Sequence, residues 1–174
     1  MIHGVASSIQ NLINDLSSHD DTVRMGARQS LVEVGSQAVP SLIEALKQGN
    51  KIVRWEVAEA LGEIKDPKAA PALVEALEDE DFDVRWLAAK GLIQIGMKGV
   101  EPLLRALMMR GDSVWLREGA RHIIRELIMG ESRKHLDPVM EALEGVEPTL
   151  QVPAAALTAH EALTEAGLFN THNE

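Results

Sequence analysis

Hydrophobic positions along the chain recur with a period of about 31 residues. One part of each period carries apolar residues at i, i+4, i+8 and i+11, a spacing that places all four on one face of an α-helix. Because a valine-arginine pair stands at the start of this pattern, we call these segments the Val-Arg helices. Their apolar positions are Val23, Ala27, Leu31 and Val34; Val53, Val57, Leu61 and Ile64; and Val84, Ala88, Leu92 and Ile95.

The other part of each period begins with a proline, which is followed by an apolar stripe of leucine and alanine. Proline in the first helical turn loses no hydrogen bond, so we expect each proline-led helix to begin at its proline. Copies start at Pro40, Pro71, Pro102 and Pro138, and a partial copy runs from Ile9 to Leu16. The alternation predicts an all-α fold, a right-handed α-α superhelix (α-solenoid) of about four to five helical pairs.

Residues between the helices indicate where each helix ends. Gly35 and Gly96 follow the last apolar residue of two Val-Arg helices, where a left-handed cap favours glycine, and Pro67 ends the third. Acidic residues crowd the same joints and are expected to cap the helix that follows. We also expect them to hold the arginines of the Val-Arg pairs, with contact to a ligand as the alternative. These arginines are Arg24, Arg54 and Arg85.

The repeats occupy residues 1 to 145, and residues 146 to 174 form a C-terminal tail. The tail is predicted to contain one capping helix over residues 153 to 166, ended by Gly167, and then a disordered end from residue 168. With 174 residues and 45% apolar content, the chain falls in the range of one domain with a continuous core.

Composition restricts the function. The net charge of −10 argues against a nucleic-acid partner. No apolar run approaches the ~20 residues needed to cross a bilayer and no export segment is evident, so a cytoplasmic protein without membrane contact is expected. The absence of cysteine excludes disulfides, thiolate catalysis and cysteine metal sites in this chain. Six histidines are scattered without metal-ligand spacing, so no metal, cofactor or catalytic residue is predicted.

One string carries a family resemblance. The sequence from Val84 to Leu92, followed by a proline-led helix, resembles HEAT repeats of the phycobilisome-lyase type, and the likeness covers residues 5 to 144. The fourth repeat departs from the pattern, because Trp115 stands where the valine is expected and Leu116 replaces the arginine. This alignment predicts Trp115 to be a core residue in a distorted repeat.

The resemblance implies that the Val-Arg helices line a concave surface and that the positions between their signature residues contact a partner. Independently, Trp55 and Trp86 lie two residues beyond a core valine, about 160° round the helix, and should point away from the core. They form a binding strip, or alternatively fold over Ala58 and Ala89. The candidate contact residues are Met25, Gln29, Trp55, Glu56, Glu59, Trp86, Leu87 and Lys90.

A basic stripe follows in the fourth repeat, where Arg117, Arg121 and Arg125 are spaced at i, i+4 and i+8. It is interpreted as a site for an anion or an acidic partner. Two alternatives are a solvated helix face and a docking site for the C-terminal helix through Glu161 and Glu165. Because acidic residues crowd the middle of the chain, the charge gradient either orients a partner or is local ion pairing.

These observations predict a non-catalytic protein-protein interaction module, a scaffold or adaptor that binds a protein partner of unknown identity on its concave surface. The alternative, which the name of the repeat type suggests, is a bilin lyase or lyase subunit acting on a phycobiliprotein. A bilin is a conjugated tetrapyrrole with two propionates, so tryptophans and arginines on one surface would suit it.

Overall fold

The structure is a computed structural model that describes residues 2–170, with side chains for residues 8–169. This part of the chain contains ten α-helices and no strand. The helices are α1 (Ile2–Asp15), α2 (Asp21–Val34), α3 (Val39–Gln48), α4 (Lys51–Ile64), α5 (Ala70–Ala76), α6 (Phe82–Ile95), α7 (Met97–Arg110), α8 (Val114–Leu127), α9 (Arg133–Glu144) and α10 (Pro148–Glu165). Short 3-10 turns lie at Gly35–Gln37, Pro67–Ala69, Gly130–Ser132 and Leu168–Asn170.

The helices stack in two layers. In one layer the Val-Arg helices α2, α4, α6 and α8 pack each against the next, and in the other α1, α3, α5 and α7 do the same. Leucine, valine and alanine side chains from both layers form one continuous core. The predicted α-solenoid is therefore confirmed.

Polar caps begin the Val-Arg helices. Asp20, Asn50, Asp81 and Ser113 each accept a hydrogen bond from a backbone amide in the first turn of α2, α4, α6 and α8 respectively. Such a bond satisfies a donor that has no partner within the helix. At the opposite ends, Gly35 (φ 68°) and Gly96 (φ 76°) follow α2 and α6 as predicted.

The proline-led helices differ from one another in where they begin. Pro40 and Pro71 lie in the first turn of α3 and α5, as predicted, because a 3-10 turn precedes each helix. Pro102 and Pro138 instead lie inside α7 and α9, which begin at Met97 and Arg133. The prediction that these two helices begin at their prolines is wrong, since helical residues precede the ring in both cases.

The fourth repeat is regular, but its register is shifted by one residue. Leu116, which is 0% exposed, occupies the core position of Val84 in α6, so the spacing here is 32 residues. Arg117 donates to the carbonyl of Gly111 at 2.8 Å, as Arg85 donates to the carbonyl of Asp79 at 2.7 Å. Trp115 therefore precedes the core position and is 44% exposed. Its prediction as a core residue is wrong.

The arginines of the Val-Arg pairs tie neighbouring loops together, and two of them use carboxylates. Arg24 contacts Asp21 and donates to Glu56 at 3.1 Å. Arg54 donates to both oxygens of Asp79. Arg85 differs, because its hydrogen bonds go to the carbonyls of residues 79 and 80. Its guanidinium is thereby held against neighbouring aromatic rings instead of a carboxylate.

The C-terminal pair reverses the layer order. α10 packs against α9 and α7, while α9 packs beside α8, so α10 continues the layer of α7. α10 begins at Pro148, five residues before the predicted start, and contains Pro153 in its interior. Residues 168–170 form a 3-10 turn where disorder was predicted, and residues 171–174 lie outside the described part.

None of the helices described between residues 2 and 170 combines the length and apolar character needed to span a membrane.

Candidate functional site

A cleft of about 270 Å³ opens between α6 and α8. Eleven residues line it, and they combine aromatic rings with guanidinium groups. They are Leu77, Phe82, Arg85, Trp86, Ala89, Trp115, Glu118, Gly119, Arg121, His122 and Arg125.

A missing side chain in α8 helps to create this space. With the spacing of 32 residues between α6 and α8, Gly119 corresponds to Leu87, which is buried in α6. The side chain of Leu77 occupies part of this space. A Cβ atom at residue 119 would lie only 2.9 Å from its Cδ2 atom. The rest of the volume remains open between the two helices.

Aromatic side chains form the apolar walls of the cleft. Trp86 is 51% exposed and its ring stacks on the imidazole of His122, with centroids 5.0 Å apart and planes inclined by 19°. The guanidinium of Arg85 lies 4.7 Å from the ring centroid of Trp115 and 5.7 Å from that of Phe82. These contacts hold Trp86 and Trp115 in place while leaving about half of each residue accessible.

The cleft also contains cations that its single carboxylate, Glu118, cannot balance. Arg125 forms an exposed ion pair with Glu144 of α9 at 3.0 Å. Arg121 forms no ion pair or hydrogen bond within residues 8–169, and its Nε is buried without a partner. The walls are thus apolar and the electrostatics favour an anion.

Three predicted contact residues meet in this cleft, namely Trp86, Arg121 and Arg125. Arg117 does not join them, because its guanidinium is bonded to the carbonyl of Gly111 and serves the helix start. Of the three arginines in the basic stripe, Arg121 and Arg125 therefore line the cleft, and Arg117 stabilises the start of α8. The C-terminal alternative is also wrong in its detail, since Glu144 of α9, and not Glu161 or Glu165, pairs with Arg125.

Two further predicted contact residues are buried. Leu87 is 7% exposed and belongs to the core, because it faces the packed side of α6. Glu56 is 4% exposed and lies between Arg24 at 3.1 Å and Arg28 at 3.6 Å. Neither side chain can contact a partner directly, so both assignments are wrong.

The other predicted residues lie outside the cleft. Met25 and Gln29 are exposed on α2, and Glu59 of α4 pairs with Lys90 of α6 at 2.8 Å. Trp55 packs partly against the core under the guanidinium of Arg28, 5.7 Å from the ring centroid. The structure therefore does not place Met25 and Trp55 in the same cleft as Trp86.

Sequence reasoning missed Phe82, Trp115 and His122 as cleft residues. Ser113 was the available signal, since a serine three residues before Leu116 is a helix cap that fixes the register of α8. That register puts Trp115 on the exposed side of the helix. The stack of His122 on Trp86 had no local sequence signal, because it joins residues of two different repeats.

Comparison with known proteins agrees with the repeat architecture. A family model described as HEAT repeats matches residues 39–125, which cover 87 of the 174 residues and extend from α3 into α8. Bilin biosynthesis protein RpcF of Synechococcus sp. (strain WH8020) is 40% identical over 62 residues, which make up 36% of this chain and 30% of that protein. The chain thus matches under a third of the length of that relative.

A solved structure is similar over most of the chain. It is a chain from the complex of CpcE and CpcF of phycocyanin lyase from Nostoc sp. PCC7120, with a TM-score of 0.54 and 24% identity. The match covers 88% of this chain and 98% of that chain. At this level of identity the likeness shows the fold alone.

These relatives overturn the prediction of a non-catalytic scaffold or adaptor. RpcF is named for bilin biosynthesis, so this relative favours the bilin-lyase alternative. The fold and the family match, in contrast, agree with the resemblance seen in the sequence. The chain belongs to the HEAT-repeat family.

Proposed function

We propose that this chain is a subunit of a bilin lyase, which attaches a bilin to a phycobiliprotein or removes it. The observation that carries the proposal is the 40% identity to a bilin biosynthesis protein over 62 residues. The substrate would be a linear conjugated tetrapyrrole together with the phycobiliprotein that carries it.

The chemistry of the α6–α8 cleft supports the proposal. A bilin presents flat pyrrole rings and two propionates, which match the accessible faces of Trp86 and Trp115 and the guanidinium of Arg121. A site for such a ligand needs apolar walls with a few placed polar groups, and the cleft has both.

The composition restricts how a bilin would be held. The chain has no cysteine, so it has no thiol that could form a thioether with the bilin. The cleft would hold the pigment without a covalent bond, which suits a protein that passes it on to another protein.

A second protein subunit belongs to the proposal. The similar solved chain is part of a complex of CpcE and CpcF. We therefore expect this chain to act together with another lyase subunit, and its activity should be measured with CpcE and, separately, with CpcF.

The test is a transfer assay with apo-phycocyanin, free bilin and this chain, alone and with each of those subunits. Covalently bound bilin is read by zinc-enhanced fluorescence of the phycocyanin band in a denaturing gel, and removal is read as loss of that fluorescence from holo-phycocyanin. Attachment or removal well above the rate without this chain is the expected result. Rates equal to the spontaneous ones in every mixture would overturn the proposal.

A further inference from the structure

We propose that the α6–α8 cleft holds a linear tetrapyrrole through one of its propionates, bound by Arg121 and Arg125, and that Glu144 competes with this propionate for Arg125. The inference rests on the proposed function for its choice of ligand. The residues themselves point to a flat apolar anion.

Among the side chains of residues 8–169, Arg121 has no partner because of how the repeat array ends. Arg28 occupies the same position in α2, five residues after Val23, which aligns with Leu116 although it is itself exposed. The Nε of Arg28 lies 3.6 Å from the carboxylate of Glu56 in the next Val-Arg helix. No Val-Arg helix follows α8 in the described chain, since α9 lies beside it. Arg121 therefore stands at a repeat position where Arg28 pairs with a carboxylate, but no described carboxylate pairs with Arg121.

The guanidinium of Arg125 is paired with Glu144 but remains largely accessible. Its ion pair with Glu144 has side chains that are 59% and 54% exposed, and pairs of this kind contribute little to stability. A propionate that also reaches Arg121 would gain a second guanidinium, which Glu144 does not contact. Exchange of Glu144 for the ligand is then favourable because two charge-assisted contacts replace one.

The aromatic walls fix where the rings would lie. Trp86 is backed by His122 and Trp115 by Arg85, so each indole is supported on one face and open on part of the other. Pyrrole rings stacked there would bury apolar surface without ordering a mobile side chain first.

The size of the cleft sets how much of the ligand is covered. Its volume of about 270 Å³ lies just below the range of about 300–1,000 Å³ that is typical of sites for drug-sized molecules. A tetrapyrrole would be only partly buried, with the remaining rings outside the cleft. The exposed part would stay within reach of the acceptor protein.

The test uses biliverdin, a linear tetrapyrrole with two propionates, titrated into the chain and followed by visible absorbance and induced circular dichroism. Glu144→Gln should tighten binding about threefold, and Arg121→Met should weaken it about tenfold. Biliverdin dimethyl ester, which lacks both carboxylates, should bind about tenfold more weakly to the parent protein and equally to the parent and Arg121→Met.

Matched controls separate binding from folding. Arg105→Met removes an exposed arginine on α7, away from the cleft, and should leave biliverdin binding unchanged. Far-ultraviolet circular dichroism shows whether each variant is folded. The ester comparison on the parent protein needs no substitution, so it remains decisive even where a variant fails to fold.

Two results would overturn the inference: equal affinities for the acid and the ester, or unchanged affinity in Arg121→Met and Glu144→Gln. If transfer activity is present while these affinities are unchanged, the cleft assignment fails and the lyase function stands. If biliverdin binds as expected without any transfer or removal, the lyase function fails and the cleft assignment stands.

Discussion

Arg54 in α4 binds both carboxylate oxygens of Asp79, with Nε to Oδ2 at 2.8 Å and Nη2 to Oδ1 at 2.9 Å. The two side chains are only 14% and 11% exposed. The same guanidinium donates to the carbonyl of Gly49 at 3.1 Å. One side chain thereby joins the start of α4 to the turn between α5 and α6, and fixes the spacing of two repeats.

Replacing Arg54 should therefore destabilise the fold. Arg54→Met leaves the largely buried carboxylate of Asp79 without its bidentate partner, and we expect a loss of about 2–3 kcal/mol in the free energy of unfolding. Urea unfolding followed by circular dichroism measures it. As a control, Arg105→Met removes an exposed pair with Glu101 and should cost no more than about 0.5 kcal/mol. Equal losses in both variants would contradict the special role of Arg54.

The register of α8 can be tested with two neighbouring residues. Leu116→Ala removes a fully buried side chain and should cost about 2–5 kcal/mol. Trp115→Ala removes a larger but exposed side chain and should cost about 1 kcal/mol or less in thermal or urea unfolding. The reverse order of losses would restore the 31-residue register, with Trp115 in the core.

Helices α4 and α6 approach closely at two glycines. A Cβ on Gly62 would lie 3.1 Å from the Cα of Gly91 and 2.8 Å from the Gln94 side chain. Gly62→Ala should therefore destabilise the protein by about 1–3 kcal/mol, because the helices must move apart. Gly26→Ala is the matched control in α2, where nothing lies within 4 Å. It should stabilise by about 0.5–1 kcal/mol, since alanine favours helix, and a gain at both positions would rule out the close approach.

The lowered pKa of Asp81 predicts that part of the stability of the fold is lost in acid. A hydrogen bond from Lys51 and the backbone amides of Val84 and Asp83 hold the pKa of Asp81 below its ordinary value of 3.8. A depressed pKa means that the carboxylate stabilises the fold above about pH 4, and that this contribution is lost as the pH falls through the folded-state pKa. Asp81→Asn keeps a capping residue but loses the charge.

Urea midpoints of Asp81→Asn and the parent protein should therefore differ at pH 6 and converge as the pH falls below about 3.8. Lys51→Met should show the same convergence, because it removes the other half of the interaction. A gap that is constant with pH would mean that Asp81 acts only as a neutral cap.

The fold was predictable from the sequence because each repeat specifies its own helices. The spacing of Val53, Val57 and Leu61 determines one buried face, and Gly35 and Gly96 end two helices where they were expected. These signals act within a single repeat. The same reasoning placed Trp86 on an accessible surface, although it did not show what lay opposite the ring.

The features that the sequence did not predict depend on contacts between repeats. A template based on residue type aligned Trp115 with valine, whereas burial follows Leu116 and the capping serine before it. An apolar face on α10 does not say which neighbour it covers, so its contact with α7 could not be predicted. Burial of Glu56 likewise depends on Arg24 and Arg28 in α2, the preceding Val-Arg helix.

The reversed C-terminal pair has a consequence for engineering the length of this array. Because α10 rests on α7 and α9 on α8, residues 128–170 behave as one interlocking end piece that fits a complete preceding pair. Additional repeats should therefore be inserted before α5, where like layers meet and α6 stays beside α8, and not after α8. Lengthened in this way, the array keeps its end piece and the cleft beside it, while its other end moves away in steps of one repeat.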